Sequence, residues 1–135
     1  MPVFKDPKKL AAYLKKAADA LQAETVITTQ AELGSKQISP YQTGRFRSSW
    51  FAAEGNSSNA VAPEGSDSPN KDATGLRYDS RKNYHLTNNL PYAQTIAIEG
   101  KVVSQEPTWF KDFRSSRIPK IQDEAARQVK REFDL

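Results

Sequence analysis

His85 is the only histidine in the sequence, and there is no cysteine. Without cysteine there are no disulfides, thiol nucleophiles, iron–sulfur clusters or thiolate zinc sites. One histidine excludes a zinc site built on several, and leaves a Ser-His-Asp triad dependent on His85 alone. That residue lies between Tyr84 and Leu86 in a strand-like stretch, and no Gly-x-Ser-x-Gly elbow accompanies it. Gly34-Ser35-Lys36 matches only the tail of a phosphate-binding loop and lacks its earlier glycine. Asp112, Asp123 and Glu124 read as a solvated face rather than an acid/base pair. The expectation is a protein that is not an enzyme, with no catalytic residue, no cofactor and no metal.

A second chemistry has more residues behind it. Arg45 and Arg47 are interleaved with Phe46, Trp50 and Phe51, and Arg127, Lys130 and Arg131 close the last helical segment. Cations mixed with aromatic rings can hold phosphates and stack bases. Cations in a last helical turn also complement the helix dipole, and arginine beside aromatics is common at protein interfaces. A small nucleic-acid-binding protein is therefore the alternative reading, and a protein–protein surface the first.

Two amphipathic helices frame these residues. Asp6-Pro7 supplies an N-cap and a proline at the first helical position, and Leu10, Leu14, Ala17, Leu21, Thr25 and Thr28 recur at helical steps. A helix over about residues 7–32 follows, with Gly34 as its stop. At the other end Ile118, Ile121, Ala125, Val129 and Phe133 define a second helix, entered through Ser116 and Pro119. Between them, Thr43-Gly44 predicts a turn and 48–54 a strand. Leu76–Tyr78 and Asn83–Asn88 are candidate short strands, Asn88–Pro91 a turn, and Tyr92–Gly100 a short helix or extended segment. Residues 101–115 read as irregular, anchored by Trp109, Phe110 and Phe113.

Residues 55–75 hold no aromatic and are dominated by Gly, Pro, Ser, Asn and Asp. A loop this long inside a small domain needs its own explanation. The expectation is that residues 55–80 are mobile in the free protein and order against another chain. The whole, residues 1–135, reads as one α+β domain: a small antiparallel or mixed sheet covered by an N-terminal and a C-terminal helix, with the long loop around 55–80.

Size and composition agree with that. The chain has 135 residues, 37% hydrophobic and 27% charged, with a net charge of +4 whose basic excess sits at the two ends. A core this modest suits a subunit that buries part of its surface against neighbours. No apolar run approaches the ~20 residues needed to span a bilayer, and the opening Met1–Asp6 lacks a signal-peptide core, so a soluble protein made in the cytoplasm is expected.

The stretch Pro40 to Trp50, Pro-x-x-Thr-Gly-x-Phe-Arg-x-Ser-Trp, resembles a motif of tailed-bacteriophage neck proteins, the tail-completion and head–tail joining family related to minor tail protein Z. About 40 residues on, Asn88-Asn89-Leu90-Pro91-Tyr92-Ala93, followed by Ile98-Glu99-Gly100, resembles that family's second block. The order of the blocks and the two flanking helices agree as well. The resemblance implies a structural virion protein, synthesised in the host cytoplasm and placed in the neck or tail. It implies a homo-oligomeric, hexameric ring that completes or terminates the tail tube and allows head–tail joining. Its partners would be the tail tube protein and head-completion or adaptor proteins, with genome DNA passing the lumen without sequence-specific binding and no membrane involved. Under this resemblance the candidate interface residues are Thr43, Gly44, Arg45, Arg47, Trp50, Pro91, Tyr92 and Glu99. Thr43-Gly44 would turn Arg45 and Arg47 to one edge, and Pro91-Tyr92 would fix a second turn with the tyrosine ring buried.

Overall fold

The N-terminal helix begins where the sequence asks it to. In a computed structural model that describes residues 2–40, 44–100 and 106–135, α1 spans Pro7–Leu33, and the Asp6 carboxylate accepts the Lys8 amide at 2.9 Å. Its buried side changes along its length. Ala17 is buried in the first half, but Thr29, Gln30 and Leu33 are buried at the end, and Leu14 of the expected stripe is 43% exposed. The C-terminal helix runs antiparallel along α1, from Tyr13 beside Phe133 to Glu32 beside Arg117, and the last turns also meet the sheet through Gln30, so no single stripe serves the whole helix. Gly34 follows the last turn with an ordinary right-handed φ of −77°. Its need for glycine lies elsewhere: a Cβ would stand 2.9 Å from the Cβ of Pro69, where the long loop crosses.

Past Gly44 the chain makes one helical turn, α2 (Arg45–Ser48), then β1 (Trp50–Glu54). The expected strand therefore starts two residues late. β1 pairs antiparallel with β2 (Tyr84–Asn88), Trp50 opposite Asn88 and Glu54 opposite Tyr84, and these two strands are the sheet among the described residues. Leu76–Tyr78 is not a strand. The Tyr78 hydroxyl donates to the Ala73 carbonyl at 2.7 Å, and its ring lies 4.8 Å from that of Tyr84. This folds the segment back on a 3₁₀ turn over Asp72–Gly75. After β2 come a turn, with the Ala93 amide donating to the Leu90 carbonyl at 3.0 Å, and α3 (Ala93–Ala97).

The C-terminal helix starts earlier than expected. α4 (Trp109–Asp112) runs through a π-helical turn (Phe113–Arg117) into α5 (Ile118–Glu132), so the stretch from 109 to 115 is helical rather than irregular, while residues 101–105 lie outside the described residues. The wide turn has a reason in the sequence. Trp109 and Phe113 are four apart, and the next apolar residue, Ile118, is five further on. One extra residue in the turn keeps Trp109, Phe113 and then Ile118, Ile121, Ala125 and Val129 on one side.

The fold is α+β. Its core is Leu33, Phe46, Trp50, Leu90, Trp109, Phe113 and Ile121, drawn from α1, α2, β1, the turn after β2 and the C-terminal helix. Phe46 meets Trp50 and Trp109 edge-on at 5.8 and 5.9 Å. At the far end Phe4, Tyr13 and Phe133 form a second cluster, with the Tyr13 hydroxyl donating to the Phe133 carbonyl. Arg117 binds both carboxylate oxygens of Glu32, at 2.6 and 2.7 Å, tying the end of α1 to the start of α5.

Candidate functional site

Gly44 holds φ at +86°, a conformation that favours glycine, and caps α2 from that position. A Cβ there would lie 2.1 Å from Oδ1 of Asp67, so glycine also leaves room for a carboxylate from the long loop. The turn that follows does not send Arg45 and Arg47 outward to a common edge. The Arg47 guanidinium is buried; its Nε and Nη2 donate to Asp67 Oδ1 at 3.1 and 2.8 Å, Nη2 also to the Asp67 carbonyl at 2.7 Å, and Nη1 to the Gly34 carbonyl at 2.9 Å. Arg45 Nε donates to the Ala62 carbonyl at 2.9 Å.

The two serines continue the pattern. Ser48 Oγ accepts the Ser68 amide at 2.9 Å, and Ser49 Oγ accepts the Ala62 amide at 3.2 Å. Each hydroxyl donates its own proton back along α2, to the carbonyls of Gly44 and Arg45. Arg-Phe-Arg-Ser-Ser is thus a clamp: four polar side chains grip the backbone of residues 62–68, and Phe46 alone turns to the core.

Gln30, 2% exposed, does the same from α1. Its amide donates to the Trp50 carbonyl at 3.0 Å and to Asp72 Oδ1 at 2.5 Å, and its oxygen accepts the Ala73 amide at 3.0 Å. Asp72 Oδ1 in turn accepts the Ala52 amide at 3.0 Å. Trp50 is buried, and its indole donates to Ser39 Oγ at 3.0 Å. Among the described residues every buried side-chain nitrogen or oxygen has a partner.

Further along the loop the tethers are ionic. Lys15 reaches Asp19 at 2.9 Å and Asp79 at 3.3 Å, and the Ser80 amide donates to Asp19 at 2.7 Å. Hydrogen bonds from Arg81 hold the Asp79 carboxyl well below the usual carboxylate range, and Lys15 lowers Asp19 in the same way. Burial pushes the Tyr78 hydroxyl up to about 12. Side chains of α1 and α2 and Asn89 of the following turn thus bond this loop to its own domain, supplying within one chain the partners that the expectation for residues 55–80 assigned to another.

Of the eight candidate interface residues, Gly44, Arg47 and Trp50 are buried in this arrangement and Arg45 is half-buried. Thr43 lies outside the described residues. Pro91, Tyr92 and Glu99 are exposed, with Ile98 beside them at 64% exposure. Tyr92 is 37% exposed, so its ring is not buried as the motif suggested; Leu90 enters the core in its place. His85 sits on β2 opposite Ala53 with its Nε2 2.7 Å from the Gly55 carbonyl, a strand-end contact. Arg127, Lys130 and Arg131 are exposed on α5, whereas Arg45 and Arg47 are spent on the loop, so the five cations of the nucleic-acid reading do not form one surface.

Sequence reasoning missed Gln30, Ser39, Asp67 and Asp72. Gln30 carried a faint signal, a polar residue at the end of α1 just where the helix meets the sheet. Compared with protein-family models, curated proteins and solved structures, the chain finds no match.

Proposed function

We propose that this chain is a structural subunit of a tailed-phage neck, forming a closed, sixfold ring at the head–tail junction that completes the tail tube. One observation carries the reading: the two sequence blocks that resemble the neck family are a single joint in space. Trp50, the last residue of the first block, is the cross-strand partner of Asn88, the first residue of the second. The Asn88 side chain donates to the Phe46 carbonyl at 2.9 Å and accepts the Leu90 amide at 3.3 Å, while Leu90 packs with Phe46 and Trp50. Residues so far apart in sequence gain a shared reason to occur together, which a chance pair of Thr-Gly and Pro-Tyr dipeptides would lack.

This joint presents α3 outward. Pro91 and Tyr92 precede it and Ile98 and Glu99 follow it, exposed side chains that set apolar surface beside a charge, suited to contact with a neighbouring subunit. Negative-stain images of the purified protein, and of virions carrying it with a tag, test the proposal. A ring of sixfold symmetry at the junction is the expected result, lost on Ile98→Asp with the fold intact. A protein that forms no ring and is missing from the junction would overturn it.

A further inference from the structure

The two edges of the sheet are finished differently. The Gly55 amide donates to the Asn83 carbonyl at 2.8 Å, which fixes the alternation of the ladder: residues 83, 85 and 87 turn their backbone groups to β1, and Tyr84, Leu86 and Asn88 turn theirs away. On β1 the outward groups are capped by side chains, the Trp50 carbonyl by Gln30 and the Ala52 amide by Asp72. On β2 the outward amides and carbonyls of Tyr84, Leu86 and Asn88 meet no protein group among the described residues. A bare edge of this kind is a template for another strand.

Beside that edge lies an apolar groove of about 280 Å³ between β2, the second half of α1 and the C-terminal helix, lined by Val26, Leu33, Tyr84, Leu86, Phe110 and Ile118 among others. Arg114 stands at it with its guanidinium 5.7 Å from the centre of the Phe110 ring, and Lys111 lies one turn back; both are exposed and make no ion pair among the described residues. The other arginines around the core, Arg45, Arg47 and Arg117, all have carboxylate partners.

We infer that the β2 edge and its groove bind an extended segment of a partner protein, one with apolar side chains at alternate positions and a carboxylate that meets Arg114. The added strand takes the outward groups of Tyr84, Leu86 and Asn88, its apolar side chains fill the groove beside Leu86 and Phe110, and its acidic end pairs with the free cations. An added strand needs side chains only on alternate positions, which is what a groove on one face of the sheet can accept. This holds whether or not the chain belongs to a phage neck.

The test titrates the full-length protein with three probes: short peptides alternating threonine and valine that end in two glutamates or in two lysines, and an oligothymidylate. The glutamate peptide is expected to bind about tenfold more tightly than the lysine peptide, the size of one charge-assisted contact. Binding should slow hydrogen exchange at the Tyr84, Leu86 and Asn88 amides, and Arg114→Glu, at an exposed site, should reverse the preference. Three results would overturn the inference: no binding of either peptide, slowed exchange elsewhere only, or binding of the oligothymidylate in place of the peptides.

Discussion

The loop side and the helix side of β1 are held to the domain by opposite means. On the loop side Gln30, Arg45, Arg47, Ser48 and Ser49 grip backbone amides, carbonyls and two carboxylates of residues 62–73 through directional bonds. On the helix side Phe46, Trp50, Trp109 and Phe110 pack ring against ring with Phe113 buried in the same core, and the Trp109 indole donates to the Ile96 carbonyl at 3.1 Å as one of few polar links. A segment whose buried apolar side chains are only alanines, Ala62 and Ala73, gains little from burial, so the molecule supplies polar partners for its backbone instead. The difference teaches where partners can dock: the clamped loop is internally satisfied, whereas the exposed side chains flanking α3 and the β2 edge are not.

If the helix side carries the global stability, truncating it should cost most. Trp109→Ala is expected to destabilise by about 3–5 kcal/mol, the range for large aromatic truncations in a core, and to lower the melting of all elements together. Denaturant unfolding followed by both fluorescence and circular dichroism checks this; loss of one signal without the other would break the contrast.

The loop side should respond locally. Gln30→Ala leaves the Trp50 carbonyl, the Ala73 amide and Asp72 short of a partner and is expected to cost about 2–3 kcal/mol. Exchange at the Ala73 amide should quicken far more than exchange in α5. Gly44→Ala forces a side chain into the left-handed region and displaces Asp67 from Arg47, an effect of about 1–2 kcal/mol read as faster exchange at the Ser68 amide.

The smallest effect is that of pH at the far end of the loop. Asp19 and Asp79 have folded-state pKa values below the ordinary 3.8, so their contribution is complete above that value and is lost as the pH falls through the lower folded values. Protection of the Ser80 amide, bound to Asp19, should therefore decline below pH 3.8, while the Trp109 indole proton stays protected. Simultaneous loss of both would show that the tether and the core are one unit.

Much of the frame was legible in the sequence. The cap at Asp6, the stripe from Ile118 to Val129 and the turn at Gly44 rest on local spacing and backbone preference, which the sequence displays directly. The π-helical turn was written there too, as the five-residue gap between Phe113 and Ile118, but a strict helical period treats that gap as a helix start. The clamp was less legible for a physical reason. Arg45 and Arg47 look the same in sequence whether they face a phosphate, a neighbouring subunit or their own loop. Their partners, Ala62 and Asp67, lie up to 20 residues away in a stretch whose composition suggests no structure.

That stretch offers the most direct test of the account. Hydrogen exchange of the isolated chain reads the amides of Ala62, Ser68 and Ala73, bound to Ser49, Ser48 and Gln30. Slow exchange at all three without any partner present, and faster exchange at Ser68 in Arg47→Ala, is the predicted result. Exchange at the rates of an unstructured peptide in the isolated wild-type chain would contradict it and return the loop to a role in binding another chain.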